Sequence, residues 1–367
     1  MSAINTLEIE GFKSIKSMDS LELSSLNVLI GANGVGKSNF ISFFRMLSEL
    51  VEGRLKVWTS KQGGADRVFT YGIKETKTLK FSIRFNANGY DVELEPTSDA
   101  NFTFTKEWLY FNGPHFGISR PRLGVGHSES NLKNEIENGG SKNIAKFCYS
   151  AISGWRVFHF HDTSDTAGVK RLSSVHDNEY LRGDAANLAS FLFKLQEENP
   201  EVYKQIVKTV RLAVPFFDDF VLKPSTLESG EQQIRLLWRQ SDSDYSMWPS
   251  QLSDGSLRFI CLVSALLQPQ PPSTIIIDEP ELGLHPYAIT LLGALLRSAS
   301  TKMQVIVSTQ SVPLLNEFEI ENMIVVERKD GASTFNRLNE DEFKSWLEDY
   351  SVGELWEKNI LGGRPSK

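Results

Sequence analysis

Apolar and polar positions along the chain follow two periods, and these sort it into strands and helices. Alternation with a period of two marks Leu7 to Phe12, then Phe81, Ile83 and Phe85, then Tyr90, Val92 and Leu94. Asn88-Gly89 favours a tight turn with positive φ, which predicts a β-hairpin here. More strand-like sequence follows at Phe102 to Thr105 and Trp108 to Phe111. Leu26 to Ile30 and the isoleucine run Ile275 to Ile277 read as strands buried on both faces, with further strands at Phe220 to Lys223, Gln233 to Arg239, Gln304 to Ser308 and Met323 to Glu327. A helical period appears over Ser38 to Glu52, where Phe40, Ile41, Phe44, Leu47 and Leu50 form one apolar stripe. Helical sequence recurs over Asn131 to Ile152, Ala185 to Leu195, Glu201 to Val214, Leu257 to Leu267 and Tyr287 to Ser298.

This order predicts an α/β protein with a mixed, mostly parallel sheet. The expected division is a first core part with an antiparallel β lobe over 1–112, a largely helical insert lobe over 113–220, and a second core part with a short tail over 221–367. No stretch sustains the heptads of a long coiled-coil arm.

Composition narrows the class only a little. The 367 residues are 40% hydrophobic and 23% charged, enough for a large core in two lobes. A formal charge of −7 argues against a surface coated in basic residues. The cluster Arg54, Lys56, Lys61, Arg67, Lys74, Lys77, Lys80 and Arg84 reads as a solvated mixed-charge face, and DNA stays open as a partner. Cys148 and Cys261 are too few and too far apart for a disulfide framework or zinc site. The first residues hold no signal-type apolar run. The longest apolar stretch, Phe259 to Leu267, is about half the ~20 residues that span a bilayer. A cytoplasmic protein, away from the membrane, is expected.

Three motifs carry the chemistry. Gly31-Ala-Asn33-Gly34-Val-Gly36-Lys37-Ser38 has P-loop spacing between a predicted strand and a predicted helix. Its glycines let backbone N–H groups wrap a β-phosphate at a helix N-terminus. Lys37 would reach the β- and γ-oxygens, and Ser38 would ligate Mg²⁺. Ile275 to Ile277 followed by Asp278-Glu279 has the form of a Walker B strand that delivers both acids to one strand end. Asp278 would hold Mg²⁺ and Glu279 would orient the attacking water, while Glu281 reads as a solvated carboxylate. Leu252-Ser253-Asp254-Gly255-Ser256 reads as a capped helix start, the element an anionic phosphate requires. His159-Phe160-His161-Asp162 lacks partner ligands and reads as hydrogen-bonded core or loop histidines rather than a metal site. The aromatic residues of 102–118 read as packing.

In this order the sequence resembles the ATP-binding-cassette ATPases, closest to the branch with RecF, the chromosome-maintenance (SMC) proteins and the overcoming-lysogenisation-defect enzymes. The anchors are Gly11-Phe-Lys13-Ser14, the P-loop with Asn39 after it, the Ser253 motif, Ile275 to Pro286, and Ser308-Thr-Gln310-Ser311. Such stand-alone chains are often grouped as AAA-family ATPases, yet a signature upstream of Walker B is a cassette feature.

The resemblance implies ATP and Mg²⁺ as cofactors and a homodimer formed head to tail on ATP binding. Ser253, Asp254 and Gly255 would then reach the γ-phosphate held by the other copy, and Leu282 to His285 would cross the interface. Gln310 replaces the usual switch histidine; an amide cannot carry charge, so slow hydrolysis is expected. Gln62 is the candidate glutamine-loop contact to Mg²⁺ or water, and Lys13 and Ser14 are candidates beside the phosphates. About 40 residues follow Glu327, too few for the acidic nuclease domain of the overcoming-lysogenisation-defect enzymes. The expected output is therefore a separate effector protein, in DNA repair or phage defence. The alternatives are a nucleotide-gated binding module with negligible hydrolysis and a DNA-associated RecF-like repair ATPase.

Overall fold

The computed structural model describes residues 3–114 and 117–363. Strands β1 (Thr6–Phe12), β2 (Ile15–Glu22) and β3 (Leu26–Ile30) lead into helices α1 (Lys37–Val51) and α2 (Leu55–Lys61). Strands β4 (Leu79–Phe85), β5 (Asn88–Pro96), β6 (Phe102–Gly113), β7 (Gly117–Ser119) and β8 (Arg122–Gly124) follow. With β1 and β2 they form an antiparallel sheet in the order β2-β1-β4-β5-β6-β7, with β8 also on β6. The hairpin forms between β4 and β5, but its turn lies two residues earlier than Asn88-Gly89. Phe85 pairs with Asn88, and Asn86 takes the left-handed φ of 52°. Gly89 sits inside β5, where a Cβ would lie 2.7 Å from the Ile83 carbonyl oxygen.

The chain continues through α3 (Leu132–Asn138), α4 (Lys142–Ser153), β9 (Trp155–Phe158), β10 (Ser173–Ser174), α5 (Leu188–Glu198) and α6 (Pro200–Ala213). The stretch expected as a largely helical lobe thus also gives β7 and β8 to the antiparallel sheet and β9 to the central one. Next come β11 (Phe217–Val221), β12 (Ser225–Thr226), β13 (Gln232–Ile234), β14 (Leu237–Gln240) and β15 (Ser246–Met247). The single strand expected over Gln233 to Arg239 is broken between β13 and β14, which belong to two different three-stranded sheets.

The last part holds α7 (Asp254–Leu266), β16 (Thr274–Asp278), α8 (Pro286–Ser300), β17 (Gln304–Thr309), α9 (Val312–Leu315), β18 (Met323–Lys329) and β19 (Ala332–Arg337), then α10 (Lys344–Leu347) and α11 (Val352–Glu357). The central sheet runs β19-β18-β3-β17-β16-β9. Every pair from β18 to β9 is parallel, and only β19 is antiparallel.

Apolar residues on both faces of the central strands explain their burial. Leu29, Ile276, Ile306 and Ile324 point into a core shared with α1 and the antiparallel sheet. Val28, Ile275, Ile277, Val305 and Val307 point into a second core under α5 to α8. Both chemistry-bearing strand ends, after β3 and after β16, therefore emerge at the carboxyl edge of one sheet, the usual ligand edge of such folds. Among the described residues no helix is long and apolar enough to cross a membrane.

Candidate functional site

The loop after β3 turns through Gly31, Gly34 and Gly36, with φ of 155°, 78° and 117°. Gly31 and Gly36 also have no room for a side chain: a Cβ would strike the Val326 carbonyl oxygen at one and Ser333 Oγ at the other. Lys37, only 5% exposed, donates Nζ to the carbonyl oxygens of Gly31 (2.7 Å) and Ala32 (3.1 Å). Burial lowers its pKa, and the negative charges of Glu279, Asp278 and Glu281 oppose that shift. Asn39 donates Nδ2 to Ser14 Oγ (2.8 Å), and Ser333 Oγ lies 2.7 Å from the same hydroxyl. Ser14 is thereby packed against the P-loop.

Lys13 and Gln62 meet elsewhere. Lys13 Nζ donates to Ser42 Oγ (2.7 Å), about one turn along α1 from Ser38, and to Gln62 Oε1 (3.3 Å). Gln62 is thus engaged with Lys13 and is absent from the pocket that holds the Walker acids.

That pocket, of about 340 Å³, is lined by Ser38, Ile41, Arg45, His159, His161, Asp278 and Glu279. Asp278, the last residue of β16 and 8% exposed, accepts a short hydrogen bond from Ser308 Oγ on the adjacent β17. Glu279 takes the left-handed φ of 43°, held by its N–H to the Ser308 carbonyl (3.0 Å). Gln310 Nε2 donates to Glu279 Oε1 (2.9 Å) and lies 2.5 Å from Asn33 Oδ1, which joins the switch position to the P-loop. Glu281 is not the solvated carboxylate expected of it. It is buried, Thr309 Oγ1 (2.5 Å) and the Gln310 N–H (3.2 Å) donate to its Oε1, and among the described residues its Oε2 has no hydrogen-bond partner. Burial, the largest cause, pushes its pKa up, and Glu279 adds to the rise.

Ser38 and Asp278 form an all-oxygen donor pair, the chemistry Mg²⁺ takes when water and phosphate complete its shell. Among the described residues no group of three or more His, Cys, Asp and Glu side chains could hold a metal unaided. The His159 and His161 rings lie 4.0 Å apart between centroids. His161 Nε2 is 2.9 Å from the Asp278 carbonyl oxygen; a carbonyl only accepts, so that nitrogen carries the proton. Burial, then His161 and Arg45, lower the His159 pKa. The sequence marked both histidines as hydrogen-bonded but gave no sign that they line this pocket, because that depends on β9 pairing in parallel with β16.

The signature motif lies at the start of α7. Ser253 caps the helix by accepting from the Ser256 N–H (3.1 Å), and Ser253 and Asp254 are exposed. A Cβ on Gly255 would strike the Gly283 carbonyl oxygen, so the signature backbone lies directly against the Leu282 to His285 loop. Leu282, Tyr287 and Trp248 are 39%, 53% and 48% exposed, an apolar set on the protein's surface. Arg258, one turn into α7, is 7% exposed and donates to the Leu282, Phe160 and His161 carbonyls. Sequence reasoning missed it, although a lone cation inside the apolar run Leu257 to Leu267 was a visible signal.

A family model described as "AAA domain, putative AbiEii toxin, Type IV TA system" matches residues 26–139 and 149–316. No protein of curated function matches the sequence. The fold is similar to an SMC head bound to the C-winged helix domain of ScpA, with a TM-score of 0.63 at 17% identity over 93% of this chain and 99% of that one. It is also similar to an SMC head with an extended coiled coil from Pyrococcus furiosus, bound to the C-terminal domain of ScpA, with a TM-score of 0.59 at 17% identity over 95% and 99%.

Proposed function

Since the chain belongs to this AAA-domain family and carries the P-loop ATPase fold of the SMC and ABC type, we propose that it is an ATP-driven dimerisation switch. One observation carries the reading. Within one chain Ser38 of the P-loop lines a single pocket with Asp278 and Glu279 of Walker B, while Ser253 and Asp254 at the signature helix start face solvent. A second copy, placed head to tail, would bring that helix N-terminus onto the γ-phosphate of the first.

In this reading the loop amides and Lys37 hold the phosphates, and Ser38 and Asp278 hold Mg²⁺. The ion, when bound, offsets charge developing on the phosphoryl oxygens. Glu279 orients the water and accepts its proton, and Gln310 fixes the carboxylate through their 2.9 Å hydrogen bond. An amide at this position supplies no charge, so turnover is slow. The output passes to a separate protein partner in the cytoplasm, in keeping with the toxin–antitoxin wording of the family description and the partner-bound SMC heads. Phage defence is the setting we favour.

Glu279→Gln tests the reading. It should bind ATP, lose turnover by at least about 100-fold, and accumulate an ATP-bound dimer on a sizing column. Undiminished hydrolysis in that variant would remove Glu279 from the mechanism. Gln310 also favours a second reading, a nucleotide-gated binding module; ATP binding by the purified parent protein with no phosphate release above the protein-free background would select it.

A further inference from the structure

We propose that Arg258 is a positioning residue that ties the Walker B end of one nucleotide site to the signature helix start and interface loop offered to the other copy. This rests on the dimer-switch reading. Filling the site within a chain would then set the geometry that the same chain presents to its partner's nucleotide.

The Arg258 guanidinium spends its donors on backbone carbonyls from two loops. Nε donates to Phe160 (2.9 Å), one terminal nitrogen to His161 (3.3 Å), and the other to Leu282. Among the described residues no carboxylate pairs with it within salt-bridge distance; Asp254, one turn back on α7, is its main attracting charge. Burying a cation costs desolvation, and an apolar side chain of similar volume would fill the space without that cost. What only a forked, planar cation supplies is several hydrogen bonds to separate segments at fixed angles, which a lysine cannot match.

The carbonyls concerned are not arbitrary. His161, whose backbone Arg258 holds, sends its ring nitrogen to the Asp278 carbonyl (2.9 Å) and lines the pocket with Ser38 and Glu279. Leu282 belongs to the loop expected to cross the interface, and the Gly283 carbonyl beside it presses on Gly255 of the signature. A continuous path therefore runs from Asp278 through His161 and Arg258 to Leu282, Gly283 and Gly255.

The test places Arg258→Met and Arg258→Lys in the Glu279→Gln background, with fluorescent ATP binding and ATP-dependent dimerisation as readouts. Turnover is measured with Glu279 intact. Both variants should bind ATP within about twofold of their parent, because the Arg258 hydrogen bonds go to Phe160, His161 and Leu282 and none of these is a P-loop residue. Dimerisation by Arg258→Met should weaken by about tenfold or more. Its kcat should fall with KM unchanged, and Arg258→Lys should recover only part of the loss. Melting temperature, ATP binding and dimerisation falling together, with full rescue by lysine, would mean a packing role and overturn the proposal.

A second variant guards against misfolding of α7. His161→Ala leaves α7 intact, and its effect on dimerisation should be non-additive with that of Arg258→Met; additive effects overturn the path. The parent protein distinguishes the two levels of failure. No ATP-dependent dimer in the parent removes the switch reading itself. A normal dimer in both the parent and Arg258→Met removes only the tie.

Discussion

Glu281 illustrates how strongly a residue's setting overrides its type. Next to Asp278-Glu279-Pro280 it looks like one more acid of a surface cluster, yet the fold turns it inward against Thr309 and gives one of its oxygens no hydrogen-bond partner among the described residues. Burial raises its folded pKa above the usual carboxylate value. The stability it contributes is therefore fully present below its unfolded pKa and is lost as pH rises through the raised folded value. Glu281→Gln removes that titration while keeping a carbonyl oxygen for Thr309 and Gln310. The difference in melting temperature between Glu281→Gln and the parent should move in favour of the variant as pH rises from about 4, where the unfolded carboxyl is still mostly protonated, through the raised folded value. A difference that is flat across this range would show that Glu281 titrates as it does in the unfolded chain.

At the scale of elements, the sequence exposed what local pattern controls and hid what pairing controls. The isoleucine run, the glycine loop and the apolar stripe of α1 each state their element locally, and each appears within a residue or so of the expected place. The hairpin was legible but its turn was not, because Asn86 supplies the positive φ while Gly89 answers a close backbone approach across the pair. The role of β9 was hidden altogether. Only its parallel register with β16 delivers His159 and His161 to the Walker acids, and no spacing in the sequence encodes that neighbour. Gln62, a glutamine before two glycines, follows the end of α2 and accepts a hydrogen bond from Lys13, a partner that its local sequence does not encode. The same dependence on pairing makes Gly255 more than a signature glycine. Its missing Cβ admits the Gly283 carbonyl, and backbone cannot yield as a flexible side chain can. Gly255→Ala should push α7 away from the interface loop and reduce ATP-dependent dimerisation by about tenfold, while fluorescent ATP still binds the monomer with parental affinity. Equal dimerisation in Gly255→Ala would mean that the two segments move freely of each other.

The whole molecule is two hydrophobic cores on the two faces of one mostly parallel sheet, with the P-loop and Walker B at its carboxyl edge and the signature on α7 at the protein's surface. If catalysis needs a signature from a second copy, each active site is built from two chains, and damage to the two halves should be separable between them. A chain with Ser253→Ala keeps a sound Walker site and offers a weakened signature. A chain with Glu279→Gln offers a sound signature and cannot activate water. In a mixed dimer one site joins the sound Walker half to the sound signature, and the other collects both defects, although its glutamine still lets ATP occupy it. Mixing the two variants should therefore raise turnover above the sum of the separate preparations, with a maximum near equal proportions, and dilution below the dimerisation range should abolish the gain. A site complete within one chain predicts strict additivity at every ratio. Because neither variant alters the fold of the other's chain, a gain on mixing can arise only from active sites shared between two copies.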